Sequence, residues 1–360
     1  MIPQRRAFAL SLLVLLAMRA YSEEAASGTT FIPIPYAFYS PETSLAGGMI
    51  LMVVSASPDA DHHENVFRGG GFATLNAQAE VFAGMEYATP GKGLRLTVES
   101  YAARYPNKYF GTGPDAGTEE GYVPFECMLD GTVGFLLIPG LYLGPRLRLF
   151  GSWMRQRDPG GALIQGVVAG SDGTGLVAPG LRLTADTRDS PVEATSGFLI
   201  DVASSWSFVT FGGSSYPAAT VDARLFSSLF SAPLVERKVV LAAQLYWAYA
   251  GGTPPFQELP RLGGDELMRG YYDGRYRDNA LVAVQAEIRL PVWWRFGLVA
   301  FGAAGQVARD PLSFRMGNTK LCGGAGLRFV LDEKSGASIR ADVAMGADGA
   351  DFYFNLGEAF

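Results

Sequence analysis

The chain has little of what soluble enzymes are built from. It holds only two histidines, His62 and His63, adjacent in the run Asp59-Ala60-Asp61-His62-His63-Glu64. A hydrolase built on a barrel places a histidine beside its serine or acid. Two neighbouring histidines in a polar run read instead as a solvated loop between strands. There is no Gly-x-Ser-x-Gly elbow, no P-loop and no Cys/His cluster at metal-ligand spacing, so the sequence predicts no enzyme, no metal and no cofactor. Cysteine is limited to Cys127 and Cys322. Cys127 is in phase with Phe125 and Leu129, whereas Cys322 is out of phase with Leu321, Leu327 and Phe329. The two therefore face opposite sides of their strands, which predicts free thiols even in an oxidising compartment. Charged residues make up only 18%, against about a quarter in an average soluble protein. The net charge of −6 is the wrong sign for nucleic acid. Beyond the first residues nothing approaches the ~18 uninterrupted apolar residues that mark a spanning helix.

Residues 1–22 read as a signal peptide, with Arg5 and Arg6 ahead of an apolar run from Ala7 to Met18 and small residues at Ala20-Tyr21-Ser22. No cysteine follows to carry a lipid anchor. An exported chain of this kind has no helical way to remain in a bilayer.

What the chain does have is glycine (45 residues), aromatics (12%) and persistent two-residue alternation. Leu94, Leu96 and Val98 oppose Arg95, Thr97 and Glu99. The same holds for Leu143, Leu147 and Leu149 against Arg146 and Arg148, for Leu181 and Leu183 against Arg182 and Asp186, and for Ile339, Ala341 and Val343 against Arg340 and Asp342. Strand side chains point alternately to opposite faces, so each segment has one apolar and one ionic face. The segments approach the ~9–11 residues a tilted strand needs to cross the hydrocarbon. Breaks alternate between tight turns, such as Pro139-Gly140, and longer loops such as 251–279, as in outer-membrane barrels. The last strand carries Phe354, Leu356 and the final Phe360 in one phase, the pattern of a barrel-assembly signal. Only a closed sheet satisfies every backbone group in lipid. The predicted fold is therefore all-β, a transmembrane antiparallel barrel of 14–16 strands. It occupies residues 46–360, after a short periplasmic segment, 23–45. The stretch 66–88 is overlong for one strand, and 31–40 is left unassigned.

The stretch Leu262–Pro291 joins a Gly-rich polar segment holding Arg269-Gly270-Tyr271 to the alternating strand Val282, Val284, Ala286, Ile288 and Leu290. It resembles the sixth-loop signature of the BamA/TamA superfamily, also called the outer-membrane protein 85 or bacterial surface antigen family. Asp186-Thr187-Arg188-Asp189 is similar to that family's periplasmic turn, and Tyr39–Thr43 and Tyr109–Gly113 also look like family elements. The resemblance implies that the loop folds into the lumen and that Arg269 meets a wall carboxylate, Asp342 first and Glu287 second. A desolvated arginine needs such a partner. Residues 23–45 are too few for the POTRA domains that precede BamA-like barrels, so the resemblance implies a barrel without them.

Function follows as an expectation: an outer-membrane barrel, itself inserted by the barrel assembly machinery and surrounded by outer-membrane lipid. It would assist insertion or translocation of unfolded outer-membrane proteins or lipids through a weak first–last strand seam. Gly346, Gly349 and Gly357 near the last strand fit such a seam. The competing reading is a passive or plugged pore. Seven inward arginines (95, 146, 148, 182, 224, 289, 340) and five inward acids (99, 186, 222, 287, 342) would either line an anion-preferring channel or pair off.

Overall fold

The computed structural model describes residues 29–55, 65–89, 91, 93–115, 117, 119–232, 235, 237–332 and 337–360. The leading stretch 1–22 and the two histidines lie outside the described residues. The described chain is a sixteen-strand antiparallel barrel closed on itself. Its wall strands are β1 Thr29–Ser40, β2 Ser44–Ser55, β3 Asn65–Thr74, β4 Ala79–Ala88, β5 Leu94–Arg104, β6 Glu120–Ile138, β7 Leu141–Arg157 and β8 Gly173–Asp186. The second half comprises β9 Gly197–Phe211, β10 Tyr216–Ser231, β11 Lys238–Ala250, β12 Ala280–Trp293, β13 Phe296–Ala308, β14 Lys320–Asp332, β15 Ala337–Gly346 and β16 Gly349–Leu356. Each pairs with its sequence neighbour, so every hydrogen-bonding edge is met locally until β16 returns to β1.

Two assignments from sequence change. The wall begins at Thr29, not at residue 46: residues 29–40 form β1, and residues that seemed to precede the barrel are its first strand and turn. Pro33 and Pro35 obscured this, because proline argues against a central strand. The overlong 66–88 stretch is two strands, β3 and β4, joined through Leu75-Asn76-Ala77-Gln78. That turn carries no Gly or Pro. Ala77 itself adopts the left-handed conformation (φ 58°), stabilised by Gln78 N–H donating to the Thr74 hydroxyl at 3.2 Å.

The alternation places the apolar residues outside. Leu147, Leu181, Leu225, Val284 and Val343 are exposed, while Arg148, Asp222, Glu287 and Asp342 are buried within the lumen. Trp293, Trp294, Phe296 and Phe329 form an aromatic cluster at the β12–β13 turn, as expected of side chains at a membrane–water boundary. Among the described residues no helix is long and apolar enough to cross a membrane; the crossing elements are strands. Both cysteines are free thiols.

The inner arginines pair off. Arg95 meets Glu86, Arg146 meets Asp130, Arg148 meets Glu258, Arg182 meets Asp201 and Arg224 meets Asp222. Arg289 meets Glu287 and Arg340 meets Asp265. Two of these partners, Glu258 and Asp265, lie on the 251–279 loop, which fills the lumen.

Candidate functional site

The 251–279 loop leaves β11, makes a 3-10 turn at Phe256–Glu258, and folds back through a two-residue ladder, Arg261–Leu262 against Tyr276–Arg277. Its tip points down the lumen. Arg269 is 2% exposed. Its Nη1 donates to Asp342 Oδ2 at 2.6 Å and its Nη2 to Glu287 Oε2 at 2.8 Å, so the loop arginine bridges both wall carboxylates. The guanidinium lies over the Phe301 ring, 3.5 Å from the centroid, a cation–π contact made where water is excluded.

These pairs belong to a larger closed circuit. Asp342 also meets Arg328 (2.6 Å), and Arg328 meets Glu358 (2.7 Å). Glu358 faces Arg289 (3.8 Å), and Arg289 meets Glu287 (2.7 Å). Arg269, Asp342, Arg328, Glu358, Arg289 and Glu287 thus alternate in sign around a neutral ring. Every ion in it has two opposite neighbours, which offsets the desolvation that makes a lone buried charge costly. Glu358 sits there because Gly357 takes a positive φ of 69° and turns the chain inward after Leu356. In consequence Phe360 does not continue the outer face of β16. It is buried with Ala359 against Phe226 and Ala242, and its carbonyl accepts from Arg289 Nη2 at 3.0 Å. Phe352 remains exposed on the outer face and Phe354 stands opposite Tyr39, so the single outward phase read through Phe354, Leu356 and Phe360 stops at the strand end.

Gly270 permits the closest approach of loop to wall. Its φ is 99°, and a Cβ there would lie 2.9 Å from Gly346 N and 3.0 Å from Met345 C. Such a contact with rigid backbone is prohibitive. Its N–H donates to the Tyr353 hydroxyl at 2.9 Å. The Tyr271 hydroxyl donates to Leu321 O at 2.9 Å and accepts from Ala347 N–H at 3.1 Å. Its ring packs with Leu262, Met268, Tyr276 and Leu281.

Two other sequence elements converge on the same loop. Tyr109 packs edge-on to Phe256, and Phe110 packs edge-on to Tyr272. Gly113 N–H donates to Arg277 O at 2.8 Å. Glu42, in the β1–β2 turn, accepts from Asp273 N–H at 2.7 Å. Burial pushes its carboxyl up to about 7, against the Ser40 hydrogen bond that lowers it and with the help of nearby Asp273. Glu258 is held by both Arg148 nitrogens (2.5 and 2.9 Å) and by the Tyr216 hydroxyl at 3.0 Å.

The Asp186–Asp189 turn lies apart from the loop. Arg188 makes a two-point pair with Asp186 (Nε 3.0 Å, Nη2 2.8 Å). Asp189 accepts from Thr195 N–H and Ser196 N–H. Slight burial works against ionisation, but these donors hold its carboxyl down at about 2. It is a self-satisfied turn. Among the described residues no three His, Cys, Asp or Glu side chains are grouped to hold a metal. Parity in β14 would have marked Arg328 as inward; Glu358 lies past the last strand, where no periodicity applies.

A closed sixteen-strand barrel with an oily exterior, an ion-paired interior and a hairpin loop pinned inside defines a class: transmembrane barrels with a lumen-inserted sixth outer loop. The chain belongs to the Omp85 superfamily, whose domain model matches residues 173–360, and it is a bacterial outer-membrane protein. It is similar in structure to BamA from Haemophilus ducreyi lacking POTRA domains 1–3, with a TM-score of 0.61 and 13% identity over 92% of this chain and 70% of that one. It is also similar to CdiB from Acinetobacter baumannii (TM-score 0.58, 12% identity, 93% of this chain and 60% of that one). CdiB from Escherichia coli matches to the same degree (TM-score 0.58, 12% identity, 89% and 61%). The chain therefore spans less than two thirds of the two CdiB chains. No protein of curated function matches its sequence significantly.

Proposed function

We propose that this barrel assists the insertion or translocation of client molecules at the outer membrane by opening its wall between β1 and β16, with the 251–279 loop holding the wall's geometry. The observation that carries this reading is the seam. β1 and β16 share one registered pair, Tyr39 opposite Phe354, while every other pair of wall neighbours shares at least eight. The stagger of the two strands causes this: β16 is only eight residues long, and at the Tyr39–Phe354 register its last residue, Leu356, faces Ala37, so Thr29–Tyr36 of β1 has no β16 residue opposite it.

In this reading Arg269, Gly270 and Tyr271 clamp β12, β14 and β15 so that strain falls on the seam rather than on the wall behind it. Asp342 and Glu287 anchor the clamp, and the Asp186–Asp189 turn is structural. Clients are unfolded outer-membrane barrel proteins or lipids. Reconstitution into liposomes tests this. Folding of an added unfolded barrel protein, read as protease protection, should accelerate with the wild-type chain. The doubly substituted Tyr39→Cys, Phe354→Cys protein should lose that effect when oxidised and regain it on reduction. Equal client folding with and without the chain would sink the assembly reading and leave a plugged structural barrel, which the paired lumen charges favour over an open pore.

A further inference from the structure

The end of the lumen opposite the entry of the 251–279 loop holds a cavity of about 310 Å³. Lys238 at the base of β11, Arg328 on β14 and Ser338 on β15 line it, together with Thr195 from the segment after the Asp186–Asp189 turn and Glu358 from the tail. Gly297 on β13 stands opposite Arg328 and leaves the floor beside it bare. Two buried donors in this cavity are unmet. Arg328 is 5% exposed; its Nε donates to Glu358 and its Nη1 to Asp342 and to Leu327 O, but its Nη2 has no hydrogen-bond partner. The Ser338 hydroxyl, on a residue 2% exposed, has none either. Buried polar groups are otherwise nearly always paired, because an unmet one forfeits its hydration. At the open mouth, Lys238 donates to the Thr195 hydroxyl at 3.3 Å, and among the described residues no carboxylate pairs with it. Thr195 is itself fixed by Asp189, which accepts from its N–H at 2.8 Å and its hydroxyl at 2.5 Å. The remaining ions of the cavity are paired: Arg237 meets Glu193, and Glu358 serves Arg328 and Arg289 within the neutral ring. What is left over is one positive charge and two buried donors, carried by three different strands.

We infer that this cavity binds a phosphate-type oxyanion. Arg328 Nη2 and Ser338 Oγ each donate to one of its oxygens, and the Lys238 ammonium meets a third and supplies the opposite charge. Charge-assisted hydrogen bonds of this kind are about twice as strong as neutral ones. A tetrahedral anion presents oxygens in several directions, as donors on three strands require, whereas a carboxylate offers two oxygens in one plane. A water can satisfy the serine hydroxyl but leaves the charge of Lys238 unopposed. Bound in this way, the anion joins β11 to β14 and β15 across the end of the lumen. It also gives the Asp186–Asp189 turn a task, since Asp189 holds the threonine that steadies Lys238. The donors read the oxyanion alone, so free phosphate and the phosphodiester of a lipid head carry the same recognised chemistry. The inference is independent of the seam reading above.

Calorimetric titration of inorganic phosphate into the full chain in maltoside micelles tests this, with ionic strength held constant by sodium chloride. The wild-type chain should give saturable binding. Lys238→Gln should weaken it about tenfold or more, the loss of a charged donor, and Ser338→Ala about fivefold. Lys108→Gln, beside Glu119 in an outer loop, should leave it unchanged. Ser338→Ala also separates binding from folding. Removing an unmet buried hydroxyl should leave the heat-modifiable gel band at least as stable as that of the wild type in phosphate-free buffer, so its lost affinity is not a lost barrel. Short-chain phosphatidylglycerol added to the same micelles, against the matching diacylglycerol, distinguishes the sources. Binding of phosphate alone assigns a free-anion site, binding of the lipid alone a head-group site, and binding of both a site for the phosphoryl group wherever it is attached. Absence of saturable binding with either probe, equal affinity for acetate, or unchanged affinity in Lys238→Gln and Ser338→Ala would overturn the inference.

Discussion

At the scale of single residues the decisive group is Arg269, because its two carboxylates come from different wall strands. Breaking one buried ion pair usually costs about 3–5 kcal/mol. Asp342→Ala should fall near the low end, about 3 kcal/mol, since Arg269 keeps Glu287 and Arg328 keeps Glu358. Chemical unfolding in detergent measures the loss, and trypsin should then cut the 251–279 loop, which the wild-type barrel protects. Unchanged proteolysis would show that Asp342 does not hold the loop. Glu42 makes a second prediction at this scale. Its carboxyl is raised to about 7 in the folded state, so its protonated form is the favoured one. The stabilising difference is complete below about 4.5, the unfolded value, and disappears as pH rises through 7. Around Glu42 lie Ser40, Asp273 (paired with Arg261 at 3.5 Å) and Tyr272. Attachment of the loop to the β1–β2 turn should therefore loosen between pH 5 and 8, read as hydrogen exchange at Asp273 N–H, and Glu42→Gln should abolish the dependence. Legibility at this scale was uneven. Arg269-Gly270-Tyr271 and both wall carboxylates carry parity or motif signals. Glu358 carries neither, because a turned-in tail obeys no strand periodicity.

At the scale of elements the loop and the seam make opposite demands on the wall. The loop fills the lumen and is tied to β12 and β15 through Arg269, to β15 and β16 through Asp265 and to β7 and β10 through Glu258, while the seam has one registered pair. Planar-bilayer recordings should show small conductance for the wild-type chain and larger, noisier steps for Arg269→Ala; unchanged steps would mean that the loop stays in place without its arginine. The strands themselves were legible wherever oil and charge alternate, from Leu94 to Val343. β1 was not, since prolines mimic a linker, and the β3–β4 turn was not, since Leu75-Asn76-Ala77-Gln78 has no turn-specific dipeptide. In both places tertiary pairing overrides local preference.

At the scale of the whole molecule the barrel is asymmetric around its circumference. Behind the loop, β12 to β15 are cross-linked by ions and densely hydrogen-bonded. Toward β1 the circle is nearly open, with one registered pair to β16. Heat or denaturant should therefore open the wall from one side. Hydrogen exchange resolved by segment should lose protection in β1, β2 and β16 well before β12 to β14, and uniform loss would contradict this. The sequence showed that a barrel exists and where one loop sits. It could not show the asymmetry, because how many residues β1 and β16 share depends on the stagger at which the circle closes, which no local pattern carries.

The six-membered circuit of charges has a consequence for genetics. An isolated salt bridge survives exchange of its two partners, and such swaps are the usual proof of contact. Here Arg269→Glu combined with Glu287→Arg would set like charges against Asp342 on one side and Arg289 on the other. The reciprocal swap should therefore be worse than Arg269→Ala alone, and only reversal of all six positions would restore the pattern of signs.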